Sequence, residues 1–153
     1  MLTAIVGMFM SVDSLPPLDI VLYASVGIAL ASSSAAVFNH VVDQRIDNIM
    51  SRTKNRPMPE GKVNTKQAIT FGVVIGVIGI GILLVLVNPL TAVLTFFALI
   101  GYAVIYTMYL KRATPQNIVI GGAAGAAPPI LGWTAITNSV DVGALLLFLI
   151  VFI

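Results

Sequence analysis

The chain has 153 residues, of which 58% are hydrophobic and 9% are charged, and its formal net charge is +2 at pH 7. A soluble domain has roughly a quarter of its residues charged, so this composition excludes an ordinary soluble protein. It indicates an all-α membrane protein, a polytopic bundle of transmembrane helices in a lipid bilayer. The small net charge gives no reason to expect a nucleic-acid partner. The chain has no cysteine, which excludes disulfides, thiolate metal sites and cysteine nucleophiles.

Four stretches are long and apolar enough to cross a hydrocarbon core, which takes about 20 residues in a helix. They are residues 18–38, 68–87, 90–110 and 118–137. Asn88 and Pro89 predict a tight turn between the second and third spans, which would then form an antiparallel pair. Pro128 and Pro129 lie within the fourth span and predict a kink there.

The two ends of the chain are apolar but shorter than a span. Residues 1–12 and 142–153 have about half the length that a crossing needs. A signal peptide would have basic residues before its apolar core, and residues 1–12 have none. We therefore expect both ends to be partial helices, and residues 1–153 to be one transmembrane domain that is a fragment of a longer protein.

The basic residues lie on one side of the membrane if the spans alternate in direction. That side holds residues 39–67 and the turn that follows residue 110. It carries all eight lysines and arginines, namely Arg45, Arg52, Lys54, Arg56, Lys62, Lys66, Lys111 and Arg112. Because positive residues favour the cytoplasmic face in short loops, we expect residues 39–67 to form a cytoplasmic loop.

Small residues recur at the spacing that lets helices approach closely in lipid. Gly72 and Gly76 are four apart, as are Gly121 and Gly125, and residues 29–36 read ALASSSAA. We interpret these residues as general packing within a helical bundle rather than as a specific dimer motif.

The loop begins with the polar run NHVVDQRIDNIMSRTKNRP, residues 39–57, in which Asn39, Asp43 and Asp47 are spaced by four. If the first span continues as a helix, these side chains lie along one stripe. Two carboxylates and an amide oxygen suit Mg2+, which binds through one or two carboxylates plus substrate phosphates. His40 lies about 100° around the helix from Asn39, so we expect an interfacial or supporting role rather than a ligand.

Cations follow the stripe directly at Arg52, Lys54 and Arg56. A guanidinium pairs with two phosphate oxygens at once, so the run predicts a diphosphate site at the mouth of the bundle. Lys111 and Arg112 lie at the same mouth. All five cations also fit a plain topology signal, and Asp43 could simply neutralise one of them, so both interpretations stay open at this point.

The pattern N-x-x-x-D-x-x-x-D of residues 39–47 resembles the first aspartate motif of the intramembrane aromatic prenyltransferase superfamily, the UbiA group. The M-x-R-T-x-x-R-P element at residues 50–57 and the run YLKRATPQNIVIGGAAGAAPPILGW at residues 109–133 resemble its protohaem IX farnesyltransferase branch. The resemblance implies nine helices around a cavity, with two aspartate motifs facing each other. This sequence has only the first motif, so we expect the fragment alone to be inactive.

The resemblance implies transfer of a farnesyl group from farnesyl diphosphate to a vinyl group of protohaem IX, giving haem O for respiratory oxidases. It implies that Mg2+ is held by Asn39, Asp43 and Asp47, of which Asp43 and Asp47 are catalytic. The diphosphate would be bound by Arg52, Lys54, Arg56, Lys111 and Arg112. It also implies a bacterial inner membrane, an active site facing the cytoplasm, and contact with oxidase assembly or haem A synthase. No haem-binding residue can be named.

Two alternatives remain. One is another prenyltransferase of the same superfamily, whose acceptor is an aromatic quinone precursor or a chlorophyll precursor. The other is a transporter whose broken fourth span lines a substrate path. The transporter interpretation leaves the regular spacing of Asn39, Asp43 and Asp47 unexplained.

Overall fold

The computed structural model of the protein describes residues 1–47, 49, 51, 53, 57, 58, 60–103 and 117–153, with the backbone alone at residues 45, 46 and 117–120. Over these residues the chain is helical, with turns and no strand. A π-helical turn, Leu83–Val87, extends the third helix. The α-helices of the described residues are α1 (Leu2–Met10), α2 (Leu18–Asp47), α3 (Thr65–Ile82), α4 (Pro89–Ile100), α5 (Asn117–Gly125), α6 (Ala127–Thr137) and α7 (Val142–Phe152).

Helix α2 is the longest element and carries the polar motif. It begins after Pro17 and has 30 residues, which makes it about 45 Å long, against a hydrocarbon core of about 30 Å. The helix therefore does not end at residue 38, and residues 39–47, which the sequence analysis assigned to the loop, form its last turns. Those residues include no glycine or proline that would stop a helix.

Helices α2 and α3 pack closely because small residues face each other. A Cβ atom on Gly79 would lie 2.8 Å from the carbonyl oxygen of Gly27. The hydroxyl of Ser34 lies beside Gly76 and donates a hydrogen bond of 2.7 Å to the carbonyl oxygen of Gly72. The predicted packing role of Gly72 and Gly76 within the bundle is therefore confirmed.

We expect Gly79→Ala to lower the free energy of unfolding of the full-length protein by about 1–3 kcal/mol. The added methyl group would meet backbone atoms of α2, which cannot rotate away. Gly81→Ala is the matched control on the same helix, because no heavy atom of the described residues lies within 4 Å of its Cβ position. Thermal unfolding in detergent checks the pair. Equal midpoints for the two variants would contradict the close packing.

A single residue, Asn88, makes the tight turn between the π-helical turn and α4. Its side-chain oxygen accepts a hydrogen bond of 2.8 Å from the backbone N–H of Thr91, which caps α4. Its amide group donates to the carbonyl oxygens of Thr134 and Ala135, at 2.9 and 3.2 Å. One asparagine therefore starts α4 and ties that end of the helix to α6.

The predicted kink is confirmed, and it lies at Ala126, between α5 and α6. Pro128 and Pro129 have no N–H to donate to the preceding turn, so the regular helix cannot run through them. Helix α6 then packs on α1 with the two backbones in close contact. A Cβ atom on Gly132 would overlap the carbonyl group of Ala4, and one on Gly7 would overlap that of Pro129.

The buried core joins α1, α2, the π-helical turn, α4 and α6. Its central members are Met8, Ile28, Leu83, Ala92 and Leu131. Many large apolar side chains lie on the outside, on α1, α2 and α4 and in greatest number on α3 and α7. Two helical stretches, Leu18–Gln44 and Thr65–Val87, are long and apolar enough to cross a membrane.

Candidate active site

A cavity of about 550 Å³ lies among α2, α4, α5 and α6. We call it the central cavity. Alanine and glycine supply more than half of its walls, and the break between α5 and α6 opens onto it at Gly125, Ala127 and Pro128. Among the described residues, its polar side chains are Ser32, Thr95 and Tyr102. The cavity is therefore a mostly apolar space bounded by small side chains.

The predicted stripe extends one wall of this cavity. Along α2, Ser32 and Ala35 line the cavity, and Asn39 follows four residues after Ala35, with Asp43 one turn further. Successive members of the stripe are about 6 Å apart along the helix axis and about 40° apart around it. Asn39 and Asp43 therefore continue the cavity-lining face of α2.

Asp47 lies on a different part of the helix surface because the stripe drifts with each step. It lines a second pocket, of about 900 Å³, between the end of α2, the following loop and the start of α3. We call this the loop pocket. Its lining includes His40, Met58, Lys62 and Phe71. The stripe thus connects the edge of the central cavity to the loop pocket.

Both aspartates are buried, with 6% of Asp43 and 4% of Asp47 exposed. Carboxylates are almost never buried this far unless they are paired or coordinate a metal. The side-chain oxygen of Asn39 is also buried, and it has no hydrogen-bond partner among the described residues. Since buried polar atoms are normally hydrogen-bonded, this oxygen is a candidate ligand atom.

The donor set fits Mg2+. No group of three or more His, Cys, Asp and Glu side chains that could hold a metal occurs among the described residues. A metal here would therefore draw its protein ligands from the stripe on α2, directly from two neighbouring members about 6 Å apart along the helix axis and through a bound water from the third. Mg2+ commonly binds with so few protein ligands, and it completes its octahedral shell with waters and substrate phosphates.

His40 lies next to Asp47 rather than away from the stripe. Its Nδ1 is 4.0 Å from a carboxylate oxygen of Asp47. Seven residues separate the two, which brings them within about 20° around the helix. The side chain predicted to have a supporting role therefore contacts the last member of the stripe.

Hydrogen bonds connect the loop and the start of α3 to the end of α2. The Thr53 hydroxyl donates to the carbonyl oxygen of Asp47 at 3.2 Å, and the Thr65 hydroxyl bonds the side-chain oxygen of Gln44 at 3.2 Å. Asn64 and Gln67 form a reciprocal capping box that starts α3, which contributes about 1 kcal/mol. The start of α3 is thus fixed against the end of the stripe.

The predicted diphosphate ligands lie outside the described residues. They are Arg52, Lys54, Arg56, Lys111 and Arg112. Lys62 is described, and its ammonium group pairs with Glu60 at 2.6 Å on the surface. Such an exposed pair contributes little to stability, about 0–1 kcal/mol.

Sequence reasoning missed the contribution of α4 to the cavity. Thr95, Ala98, Leu99 and Tyr102 all line it. Their i, i+3, i+4, i+7 spacing is the signature of one helix face. In a uniformly apolar span, hydropathy does not show which face is turned inward. Only the position of Thr95 could have indicated the inward face of α4.

Comparison with known proteins gives the family of the chain. The model of the UbiA prenyltransferase family matches residues 1–153. A protein of Ruthia magnifica subsp. Calyptogena magnifica named protoheme IX farnesyltransferase is 63% identical over 100% of this chain and 52% of its own length. Proteins of the same name from Methylococcus capsulatus and Alkalilimnicola ehrlichii are 59% and 62% identical, over 99% of this chain and 51% and 50% of their own lengths.

The chain thus spans about half the length of the curated relatives that it matches. No solved structure matches it. The family match covers every element described above, including the stripe on α2 and the walls of the central cavity. The apolar helices and the family match together show that the chain is an integral membrane protein and belongs to the UbiA prenyltransferase family.

Proposed function

We propose that the full-length protein transfers a farnesyl group from farnesyl diphosphate to a vinyl group of protohaem IX, releasing diphosphate and giving haem O. The observation that carries this proposal is the identity of about 60% to relatives named protoheme IX farnesyltransferase, which extends over the whole chain. The buried carboxylates at the edge of an apolar cavity support it. The match favours neither a transporter function nor a prenyltransferase whose acceptor is a quinone precursor.

Asn39, Asp43 and Asp47 would hold Mg2+ on α2, between the edge of the central cavity and the loop pocket. When bound there, the metal would offset the negative charge that develops on the diphosphate as the bond between diphosphate and farnesyl breaks. Arg52, Lys54, Arg56, Lys111 and Arg112 would bind the diphosphate oxygens. Since charge on the leaving group is the main barrier to its departure, positioned cations and metal ligands are the principal catalytic contribution of the protein.

The central cavity would hold the farnesyl chain and the acceptor vinyl group. Its small apolar side chains leave room for hydrocarbon and offer few groups that could trap a carbocation. An apolar cavity also keeps bulk water from the cation until the new carbon–carbon bond has formed.

We propose a bacterial inner membrane as the location, with the stripe facing the cytoplasm. The end of α2, the loop and the start of α3 carry most of the basic residues, including the exposed Lys62 and Lys66. Basic loops favour the cytoplasmic side. We also propose that the protein contacts haem A synthase or the oxidase assembly machinery, which would receive haem O.

The acceptor test uses the purified full-length protein in lipid nanodiscs with farnesyl diphosphate and Mg2+. We expect a farnesylated product from haem B and none from 4-hydroxybenzoate, as measured by mass spectrometry. Chelation of divalent metal is expected to stop the reaction, and Mg2+ to restore it. Transfer to the benzoate alone would show that the acceptor is an aromatic quinone precursor.

A further inference from the structure

One hydroxyl in the central cavity lacks the partner that its burial calls for. Thr95 is 3% exposed and lines the cavity. Its Oγ1 is buried and has no hydrogen-bond partner within the described part of the chain. One turn earlier on α4, the equally buried Thr91 hydroxyl bonds the hydroxyl of Thr134 at 3.0 Å. Since buried hydroxyls are normally bonded, Thr95 is equipped for a partner inside the cavity.

The break between α5 and α6 leaves two carbonyl groups without their helical donors, in residues that line the same cavity. Pro128 and Pro129 have no N–H, so the carbonyl oxygens of Ala124 and Gly125 lose their helical donors. The N–H of Ala126 bonds the carbonyl oxygens at positions 122 and 123, at 2.9 and 3.2 Å, and so does not satisfy those of Ala124 and Gly125. Ala124 and Gly125 both line the central cavity. Within membranes, carbonyl groups freed by proline are satisfied by hydroxyl side chains and ordered waters.

We propose that Thr95 and the carbonyl groups of Ala124 and Gly125 hold a water molecule in the central cavity, and that this water completes the reaction. The proposal rests on the proposed function. A buried water needs two to four polar partners, which this hydroxyl and these carbonyls provide. The farnesyl chain and the vinyl group have no hydrogen-bonding atoms, so neither can satisfy these groups.

The water has a defined place in the chemistry. The carbon–oxygen bond between farnesyl and diphosphate breaks, and the terminal vinyl carbon bonds the farnesyl carbon, which leaves a cation on the carbon next to the porphyrin ring. The oxygen of the held water bonds this carbon. One of its protons stays in the new hydroxyl group, and the other passes to the released diphosphate. Without the water, the cation loses a proton and gives an alkene of the same carbon skeleton.

The test compares three variants of the full-length protein in nanodiscs with haem B and farnesyl diphosphate. Thr95→Val keeps the shape of the side chain and removes the hydroxyl, and Thr95→Ser restores the hydroxyl. Thr91→Val removes a buried hydroxyl that bonds Thr134, and it is the matched control. We expect the ratio of hydroxylated product to alkene to fall roughly tenfold in Thr95→Val, the effect of losing one positioned hydrogen bond. Thr95→Ser and Thr91→Val should keep the wild-type ratio.

An unchanged ratio in Thr95→Val would overturn the proposal while leaving farnesyl transfer established. Absence of any farnesylated product from the wild-type protein would instead overturn the proposed function. The water itself is then measured by radiolytic labelling, in which X-ray-generated radicals oxidise side chains next to bound water. Labelling of Leu99 and Leu131, which line the cavity, should fall in Thr95→Val and stay unchanged in Thr91→Val. Equal labelling in both variants would exclude the bound water.

Discussion

Asp43→Asn in the full-length protein is expected to lower the rate of farnesyl transfer by about 10²- to 10³-fold, the usual cost of removing one positioned charge-stabilising group. The substitution keeps the size of the side chain and removes the negative charge of a buried carboxylate. If that carboxylate holds a divalent ion, the Mg2+ concentration that gives half-maximal rate should also rise. Membrane insertion and the thermal unfolding midpoint should change little.

Asp19→Asn is the matched control for this variant. Asp19 is on the same helix, in its first turn, and is exposed at the end opposite to the stripe. It should leave both the rate and the Mg2+ dependence at wild-type values. A near-normal rate in Asp43→Asn would refute the assignment of Asp43 to the metal, and equal losses in the two variants would point to a general effect on the helix.

Ala98→Phe should block the central cavity and lower the rate of farnesyl transfer by about 10- to 100-fold, because a displaced substrate no longer meets the reacting groups. Ala98 lines the cavity on the same face of α4 as Thr95. The added ring takes up space that the proposed function assigns to the isoprenoid chain. Geranyl diphosphate, which is five carbons shorter than farnesyl diphosphate, should lose less activity.

The control for Ala98→Phe places the same ring on the outside of the same helix. Val93 is 49% exposed on α4, so Val93→Phe should leave the rates with both prenyl donors unchanged. Steady-state kinetics with the two donors give the comparison. If Ala98→Phe reacts with both farnesyl and geranyl diphosphate at wild-type rates, the isoprenoid chain does not bind in this cavity.

Much of the fold follows from the sequence because its causes are local. Proline cannot donate a hydrogen bond, so Pro128 and Pro129 fix the break between α5 and α6. Asn88 followed by proline gives both a turn and a helix cap, and glycine at positions 72 and 76 marks the face of α3 that meets α2. Each of these effects depends on one or two residues and their immediate neighbours.

The boundary of α2 could not be taken from hydropathy. Hydropathy reports where a chain leaves the hydrocarbon core, whereas a helix ends only where residues stop favouring it. Residues 39–47 are more polar than the span before them but include no glycine or proline. The helix therefore continues, and its extra turns place Asp43 and Asp47 on a rigid element instead of a loop.

The composition of the site was harder to predict than its stripe. Each step of four residues moves the stripe about 40° around the helix, so Asp47 lies about 80° from Asn39. This drift brings Asp47 beside His40, which itself lies about 100° from Asn39. Thr95 is remote in sequence from the stripe, and only packing of α4 against the other helices brings it to the cavity. Contacts of this kind depend on tertiary structure, which a pattern within one helix does not contain.

The most direct test of the account asks whether one divalent ion is shared between α2 and the diphosphate. Mn2+ replaces Mg2+ in the full-length protein, and an unreactive thiolo analogue of farnesyl diphosphate is added. Electron–nuclear double resonance then measures the coupling between Mn2+ and phosphorus. We expect a phosphorus coupling in the wild-type protein and its loss, with weaker Mn2+ binding, in Asp43→Asn. Mn2+ bound equally well by both proteins, or bound without any phosphorus coupling, would contradict a metal held by Asn39, Asp43 and Asp47.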